Sequence, residues 1–504
     1  MHLPPTVVDR AHPTPSGFWI VALTLLLSAT GCGGTGGRVD GETGDPAVRS
    51  RPEAPPFFLG GIQVHEADQR VWLDNIEARS MNTLSVTDYA LQGDWDSDDL
   101  RWDEDDSGML GEVREAKERG LHVVLILRVA MDHAFERNEF LWHGMIAPSG
   151  DEALASWFEK YTRFVVRWAR IAEAEGVDAL MIGSELNALA STVPLAEIPS
   201  LEEYFLNDDK QARRKAEMLN HAGQVAERHL ASEERADYPD LESYLEARIA
   251  QEQDWARRTT GSGTDSLAEI NRRRKLLEQH WIALIGAVRE VYTGPVGYAA
   301  NFDQYHEVGF WEHLDVMGIN AYFKLRDHLL EPGQDRGDLE PLLTDGWRRV
   351  LAEIHSFRQR EGVTDRPVIF TEMGYTFRAN STLQPWAHEG FALFKVGAHP
   401  AEGPDSRREQ MVVWTEQPDD LEERALAVRA LHTAHRELGA PFLRGILWWK
   451  LSSHDYHRDV ESFLLWIGED SQDPLFDSLQ LFFDQPSTGA PRVAGPTSDR
   501  EPEP

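Results

Sequence analysis

The sequence predicts an α/β protein that folds as a single (β/α)8 barrel. Eight short apolar runs lie along the chain, and amphipathic helical patterns separate most of them, as is typical of parallel strands covered by helices. An open sheet that binds a nucleotide would carry a glycine-rich turn after an early strand, but LGGIQVH at residues 59–65 lacks the GxGxxG spacing. The 504 residues, 41% of them hydrophobic, suffice for one large core or two modest ones.

The chain begins with a segment typical of an export signal. Residues 18–31, FWIVALTLLLSATG, form an apolar run of about 14 residues, the length of a signal-peptide core and short for a bilayer span. The run ends at Cys32, the only cysteine, and ATGCGG resembles a bacterial lipobox. We therefore expect residues 1–31 to be a lipoprotein signal peptide, and Cys32 to carry a lipid that anchors the exported protein to a membrane, at the periplasmic face or the cell surface. An ordinary secretory signal with an incidental cysteine is the alternative.

Two segments without apolar periodicity flank the expected barrel domain at residues 57–483. Residues 32–56 are rich in Gly, Pro and charge and predict a flexible tether, which would place the barrel roughly 25–30 Å from its anchor. Residues 484–504 have a similar composition and predict a disordered tail. With a single cysteine, the fold has no intramolecular disulfide to stabilise it.

The eight apolar runs are the expected strands of the barrel. In chain order they occupy residues 57–64, 81–87, 121–129, 177–184, 294–300, 313–320, 366–372 and 443–449. The clearest helix follows the third run at residues 151–176, where large apolar side chains recur at helical spacing. They are Trp157, Phe158, Tyr161, Phe164, Val165, Trp168 and Ile171. We assign this stripe to the hydrophobic core and not to a cofactor site.

Two long insertions interrupt the regular spacing. Residues 196–275, after the fourth strand, are charged and helical in pattern, and a second insertion that includes residues 390–419 follows the seventh strand. Each follows a strand, so its first part should rise from the C-terminal face, where barrel active sites lie. The helical insertion could shape a substrate cleft, or it could be a solvated hairpin that serves stability or a partner, and the sequence leaves both open.

Two glutamates close apolar strands: Glu185 follows the fourth run and Glu372 the seventh. A buried carboxylate is costly unless it is paired or in use, and strand C-termini of a barrel converge on one cleft. Glycoside cleavage requires such a pair, one carboxyl as proton donor and the other as a charged group facing the anomeric carbon. Taken alone, a glutamate at a strand end is as often structural, bound to an arginine or a helix N-terminus.

Several segments together resemble glycoside hydrolase family 113, in the large clan of retaining barrel hydrolases. They are LWHGMIAPSGDEALASWFEKY (141–161), VDALMIGSEL (177–186), YAANFDQYHEVGFWEHLDVMGINAYF (298–323), VIFTEMGY (368–375) and GILWWKL (445–451). The resemblance implies a retaining, double-displacement β-glycosidase that acts on β-mannan or a related β-glycan. It makes Glu372 the nucleophile and Glu185 the acid/base, with carboxyls about 5–5.5 Å apart. Tyr322 resembles the clan tyrosine that hydrogen-bonds the nucleophile, although a buried structural tyrosine is the alternative.

Aromatic side chains near the strand ends are candidates for stacking on a sugar ring. Either Trp448 or Trp449 should face the cleft, because successive strand residues point to opposite sides. Further candidates on adjoining loops, each equally compatible with packing, are Trp142, Asn301, Trp386 and Tyr375.

The sequence also departs from the family pattern. Ser184 precedes the acid/base glutamate, where many clan members have Asn and family 113 tends to have a small hydroxyl residue. The third strand ends LRVAMD, where family members commonly have Lys-Pro-His. Arg128 could supply the missing positive charge and keep Glu372 ionised. The lost Pro and His indicate an altered subsite, which concerns the mannan specificity of relatives more than the hydrolytic machinery.

Other classes of function fit the sequence less well. The net charge of −35, from 50 Lys and Arg against 85 Asp and Glu, disfavours nucleic acid and is compatible with a neutral polysaccharide, although such acidity more often reflects solubility or a salty environment. No HxH pair, HExxH or GxSxG motif indicates a metal site or a serine nucleophile, so we expect no metal and no cofactor. The remaining alternative is a non-catalytic lipoprotein that uses the barrel to bind glycans or a partner.

Overall fold

The computed structural model describes residues 57–482, apart from residues 65, 67, 106, 195–200, 221–237, 261–265, 331–334, 387–390, 397–407, 414–416 and 460. The expected signal peptide, the lipidation site at Cys32, the tether and the tail lie outside the described residues. Within the described part of the chain, no helix is both long and apolar enough to cross a membrane.

Eight parallel strands close into a barrel. Numbered β1 to β8 in chain order, they are Phe58–Gln63, Thr83–Gln92, His122–Met131, Ala179–Ser184, Val296–Asn301, Val316–Asn320, Val368–Met373 and Leu443–Ser452. Each strand pairs in parallel with the next, and β1 pairs with both β2 and β8. Each predicted run overlaps one strand, and the predicted (β/α)8 barrel is confirmed. Short strands at Leu100–Arg101 and Leu465–Trp466 extend the sheet beside the ends of β2 and β8.

Helices cover the outside of the barrel and connect its strands. In chain order they are Gln69–Ala78, Ser107–Glu118, Gly150–Glu175, Ser266–Arg289, Leu339–Arg360, Leu421–Glu437 and Leu475–Gln480. Between β5 and β6, 3-10 turns at Tyr305–Glu307 and Trp311–His313 take the place of an α-helix. The Gly150–Glu175 helix buries the predicted apolar stripe except for the half-buried Ile171, and it ends at Gly176 with a left-handed φ of 67°.

The strands form two apolar layers because successive side chains point to opposite sides. The barrel interior is filled by Phe58, Val124, Ile126, Ala179, Met181, Ala299, Val316, Ile369 and Leu447. The alternate residues, such as Val123 and Leu125, pack outward in the larger core that includes the helices. Arg128 continues the inner row of Val124 and Ile126, and Trp449 continues that of Leu447, which places both at the C-terminal mouth of the barrel.

Both insertions have regular structure. The first contains Leu201–Leu206, Asp208–Asn220 and Leu241–Thr260. Its expected limit at residue 275 falls inside the Ser266–Arg289 helix, because the charged turn NRRRK at 271–275 continues directly into the apolar face that carries Trp281. The second insertion forms an antiparallel hairpin of Phe391–Val396 and Arg408–Val413.

Candidate active site

Buried or half-buried polar and aromatic side chains converge at the C-terminal ends of five barrel strands. Arg128 comes from β3, Glu185 directly follows β4, and Asn320 closes β6. Glu372 lies at the end of β7, Trp449 lies within β8, and Tyr322 follows β6 by two residues.

Glu372 is almost completely buried and accepts hydrogen bonds from three side chains. Its residue exposure is 3%, its Oε2 accepts from the Tyr322 hydroxyl at 2.7 Å, and its Oε1 accepts from Asn320 Nδ2 at 3.0 Å. Oε1 also forms an ion pair with the equally buried guanidinium of Arg128. Three donors, one of them a permanent cation, are an arrangement that supports a carboxylate.

Arg128 lies between the nucleophile candidate and an aromatic ring. Its guanidinium carbon stands 5.0 Å from the centroid of the Trp449 ring, within cation–π range. Arg128, which we expected from the sequence to replace a lysine of the family, therefore contacts Glu372.

Glu185 has an unusual backbone conformation. Its φ is 51°, in the left-handed region that residues with a Cβ rarely adopt. Its amide donates to Ala299 O at 2.9 Å, and the next amide, of Leu186, donates to the buried Tyr298 hydroxyl at 2.9 Å. These bonds hold the strand end in a conformation that, at active sites, often aims a side chain into a cleft.

The carboxyl of Glu185 contacts an imidazole rather than a guanidinium. Its Oε2 lies 3.2 Å from His143 Nε2, and the side chain is 13% exposed compared with 4% for Glu372. The imidazole nitrogen can donate to a carboxylate or accept from a carboxylic acid, according to which form is present. Glu185 is thus the more accessible carboxyl, with an imidazole as its hydrogen-bonding neighbour.

Asn320 links the two glutamates. Its Nδ2 approaches Glu372 Oε1 at 3.0 Å and Ser184 Oγ at 3.2 Å, and it also hydrogen-bonds Glu185. Its Oδ1 accepts from Thr371 Oγ1 at 2.8 Å, which fixes the orientation of the amide. The small hydroxyl of Ser184, which stands where many clan members have Asn, therefore takes part in this network.

Burial and charge act differently on the two carboxyls. Burial raises the pKa of Glu372, and the negative charge of Glu185 raises it further, while Arg128 and Tyr322 offset part of the increase. Burial also acts to raise the pKa of Glu185, but the hydrogen bond and charge of His143, together with the charge of Arg128, outweigh it and lower the pKa. The two carboxyls are coupled, because the charge of Glu185 contributes to the raised pKa of Glu372.

The structure distinguishes the two candidate tryptophans of β8. Trp448 is completely buried in the core that includes the helices, and its Nε1 donates to Phe463 O at 3.0 Å. Trp449 packs with Tyr322, Ile62 and Phe463 and lies beside Arg128. Trp449 is therefore the tryptophan that faces the mouth of the barrel, and Trp448 serves packing.

The weaker candidates lie in different environments. Trp386 is 44% exposed and stacks on Phe302 with ring centroids 5.3 Å apart. Asn301 is half-buried and accepts from the Phe302 amide at 2.8 Å. Tyr375, in contrast, is completely buried and donates to Phe323 O at 3.0 Å, so it serves packing.

Trp142 contacts the site only through its neighbour. Its ring packs edge-on against His143 at 5.1 Å between centroids, and it is half-buried against the core. The next turn residue, Gly144, has no room for a side chain, since a Cβ there would lie 2.2 Å from the Trp142 ring. Trp142 thus helps to shape the turn that presents His143 to Glu185.

Two residues of the site, His143 and Asn320, were not singled out from the sequence. Asn320 ends an apolar strand, and the criterion that identified Glu185 and Glu372 also applies to it. His143 lies in a loop with no apolar or polar periodicity, so only the fold brings it to Glu185. Among the described residues, no cluster of three His, Cys, Asp or Glu side chains could hold a metal ion.

Solved structures that match the chain do so at low sequence identity. The GH113 β-mannanase AaManA from Alicyclobacillus acidocaldarius, in complex with ManMIm, is 15% identical with a TM-score of 0.48, over 85% of this chain and 96% of that one. A GH113 β-1,4-mannanase complex is 15% identical with a TM-score of 0.49, over 86% of this chain and 100% of the other. A hyperthermophilic β-glucosidase mutant is 13% identical with a TM-score of 0.38, over 85% and 100%. No curated protein sequence matches the chain.

A family model gives the stronger comparison. Residues 60–192 and 241–396 match the model of Glycoside Hydrolase Family 113, and together they make up more than half of the 504 residues. The matched segments contain Arg128, Glu185, Tyr322 and Glu372, whereas residues 193–240 fall between them. The resemblance expected from the sequence is confirmed, and the chain belongs to Glycoside Hydrolase Family 113.

Proposed function

We propose that this protein is a retaining glycoside hydrolase that cleaves β-glycosidic bonds in β-mannan or a related β-glycan. The observation that carries the proposal is the environment of Glu372, a buried carboxylate bound by Arg128, Tyr322 and Asn320 and coupled through Asn320 to Glu185. A nucleophile must be ionised and held in place, while its partner must be able to exchange a proton. Three donors hold Glu372 in place, and Glu185 has the more accessible carboxyl with an imidazole beside it.

The proposed reaction has two steps. In the first, Glu372 attacks the anomeric carbon while Glu185 gives its proton to the glycosidic oxygen, so that the aglycone leaves and a glycosyl ester forms on Glu372. In the second, Glu185 takes a proton from water, the hydroxyl attacks the anomeric carbon, and the ester bond to Glu372 breaks. The anomeric configuration is retained, and both carboxyls return to their starting forms.

The proposed roles require the proton of the carboxyl pair to reside on Glu185. Burial and the charge of Glu185 raise the pKa of Glu372, and Arg128 and Tyr322 oppose that rise. The hydrogen bond and charge of His143, with the charge of Arg128, outweigh burial and lower the pKa of Glu185. The active form in this proposal has a protonated Glu185 and an ionised Glu372, with Arg128 paired to Glu372.

The substrate is proposed from the family and from the aromatic side chains at the mouth. The matching GH113 structures are described as β-mannanases, which makes β-mannan the first polymer to test. Trp449 supplies an indole beside Arg128 on which the apolar face of a pyranose can stack. The chain has Val-Ala after Arg128 in place of the family's Pro-His, and this difference is the reason to test other β-glycans as well.

The test is hydrolysis by the full chain of β-mannan, other β-glycans and small aryl β-glycosides. Glu372→Ala and Glu185→Ala should each lose most activity while circular dichroism stays close to that of the unchanged protein. The unfolding midpoint should stay close in Glu185→Ala and fall in Glu372→Ala, which leaves the buried Arg128 without its ion-pair partner. Azide should rescue both on an activated aryl glycoside, giving the α-glycosyl azide with Glu372→Ala and the β-anomer with Glu185→Ala. Full activity in either variant refutes the assignment. Tight glycan binding without turnover by the unchanged protein would support the non-catalytic alternative.

We also propose that the protein is exported and anchored through a lipid on Cys32, on the strength of the ATGCGG pattern that follows the apolar leader. In a bacterial host, the full chain should partition into the membrane fraction and incorporate labelled palmitate. Cys32→Ser should abolish labelling. Labelling that persists in this variant would contradict the proposal.

A further inference from the structure

The helical insertion after β4 contacts the loop that carries His143. This loop runs from the end of β3 to the Gly150–Glu175 helix and includes 3-10 turns at Glu136–Asn138 and His143–Met145. The Leu241–Thr260 helix of the insertion packs along it. The sequence leaves the role of this insertion open, and its contacts with the loop connect it to His143.

Two side chains of the Leu241–Thr260 helix bind the loop on either side of His143. Trp255 is buried, and its Nε1 donates to Met145 O at 2.7 Å, two residues after His143. Gln251 lies one helical turn earlier, where its Oε1 accepts from the Phe140 amide at 2.7 Å and its Nε2 donates to Glu136 O at 3.0 Å. Residues four apart face the same side of a helix, so the two side chains act together on one backbone segment.

Apolar contacts reinforce these hydrogen bonds. Phe140 packs edge-on against Tyr244, with centroids 5.4 Å apart, in a cluster with Leu241 and Leu245. Phe205, from the segment that precedes the Leu241–Thr260 helix, packs edge-on against Trp255, with ring centroids 6.0 Å apart. That segment belongs to residues 193–240, which lie outside the family match, whereas the Leu241–Thr260 helix with Gln251 and Trp255 lies within it.

These contacts lead in a continuous path to the catalytic carboxyl. The helix fixes Phe140 and Met145, these bracket His143, and His143 Nε2 lies 3.2 Å from Glu185 Oε2. A general acid must be held within hydrogen-bonding reach of the leaving oxygen, and a displacement of about 1 Å can lower a rate 100-fold.

We propose that Gln251 and Trp255 are positioning residues for the acid/base glutamate, and that the insertion acts on catalysis by holding His143 against Glu185. This inference rests on the proposed function. A positioning role differs from a purely structural role of the insertion in one respect. Loosening the contact between the Leu241–Thr260 helix and the His143 loop should impair proton donation more than nucleophilic attack. The reason is that Glu372 is held by Arg128, Asn320 and Tyr322, none of which touches the insertion in the contacts described.

The test compares leaving groups. A phenyl β-glycoside needs a proton on its leaving oxygen, whereas a 2,4-dinitrophenyl β-glycoside leaves without one. For the full chain, Trp255→Phe and Gln251→Ala should each lower kcat/KM on the phenyl substrate by about 10- to 100-fold. The same two variants should change kcat/KM on the dinitrophenyl substrate by less than about threefold. His143→Ala should show the same pattern more strongly, and His143→Gln, which keeps a hydrogen-bonding group, should recover part of the loss.

Lys215→Ala is the matched control, since Lys215 pairs with Glu242 and Glu246 inside the insertion. It should leave both rates unchanged. Equal losses on both substrates in Trp255→Phe and Gln251→Ala, or no loss in either, would overturn the inference while leaving the proposed function standing. Absence of turnover by the unchanged protein would overturn both.

Discussion

Replacing Arg128 by Met should destabilise the protein in a way that depends on pH. Both partners of the Arg128–Glu372 ion pair are buried, with side-chain exposures of 3% and 4%. Removing one partner of a buried pair costs about 3–5 kcal/mol, because the other charge loses its compensation. Asn320 and Tyr322 would still donate to Glu372, so we expect the lower end, about 3 kcal/mol at neutral pH.

The pH dependence follows from the raised pKa of Glu372. Burial already raises this pKa in the folded protein, and loss of Arg128 should raise it further. A carboxyl whose folded pKa lies above its unfolded value contributes stability that is fully present below the unfolded pKa and is lost as pH rises through the folded one. Arg128→Met should therefore be close to the unchanged protein in stability near pH 4.5, and its deficit should grow towards pH 7.5 at up to about 1.4 kcal/mol per unit.

The assay is urea unfolding followed by tryptophan fluorescence at the two pH values. It should include Glu372→Gln and the double variant, in which no uncompensated carboxylate remains. The double variant should recover most of the stability that Arg128→Met loses at pH 7.5. A deficit below about 1 kcal/mol at pH 7.5, or the same deficit at both pH values, would refute the reasoning.

Three further predictions concern single side chains. Burial raises the pKa of Glu112 from 4.5 to about 7, so the contribution of this carboxyl to stability is full below its unfolded pKa and declines as the pH rises to 7. In urea unfolding, Glu112→Gln should gain about 3 kcal/mol of stability relative to the unchanged protein between pH 4.5 and 7.5, and parallel pH profiles of the two proteins would contradict this. Tyr322→Phe removes one hydrogen bond to Glu372 and should lower kcat/KM about 10- to 100-fold with little change in Tm; unchanged initial rates would show that this bond does not assist the nucleophile. Trp386→Ala removes an exposed indole and should raise KM for a polymer without changing kcat on a short aryl glycoside, whereas a loss of kcat on the aryl substrate would place Trp386 at the reacting sugar.

The sequence was informative about the barrel because each strand is buried on both faces. Continuous apolar runs located all eight strands, yet β2 and β3 continue beyond the runs to Gln92 and Met131. The extension of β2, DYALQ at 88–92, mixes polar and apolar residues, because near the mouth of the barrel the strand no longer faces a uniformly apolar surrounding. Hydrophobic pattern alone therefore underestimates the strands where they approach the active site.

The candidate site was partly predictable for a similar reason. Glu185 and Glu372 stand out because each follows an apolar run directly, whereas His143 lies 42 residues from Glu185 in a loop. Likewise, the choice between Trp448 and Trp449 depends on which face of β8 points inward. Alternation along a strand gives the pattern but not its phase, and the phase became clear only from the barrel, where Trp449 follows the inward-pointing Leu447.

The left-handed backbone conformation of Glu185 has opposite consequences for the stability of the fold and for the proposed chemistry. A residue with a Cβ held at a φ of 51° gives up about 1–3 kcal/mol, and glycine adopts the same conformation without that loss. The position of the proposed acid/base is thus one at which glycine would relieve the backbone while removing the carboxyl. Under selection for abundance alone, Glu185→Gly should therefore be readily retained, because it gives a well-folded barrel without the proposed proton donor.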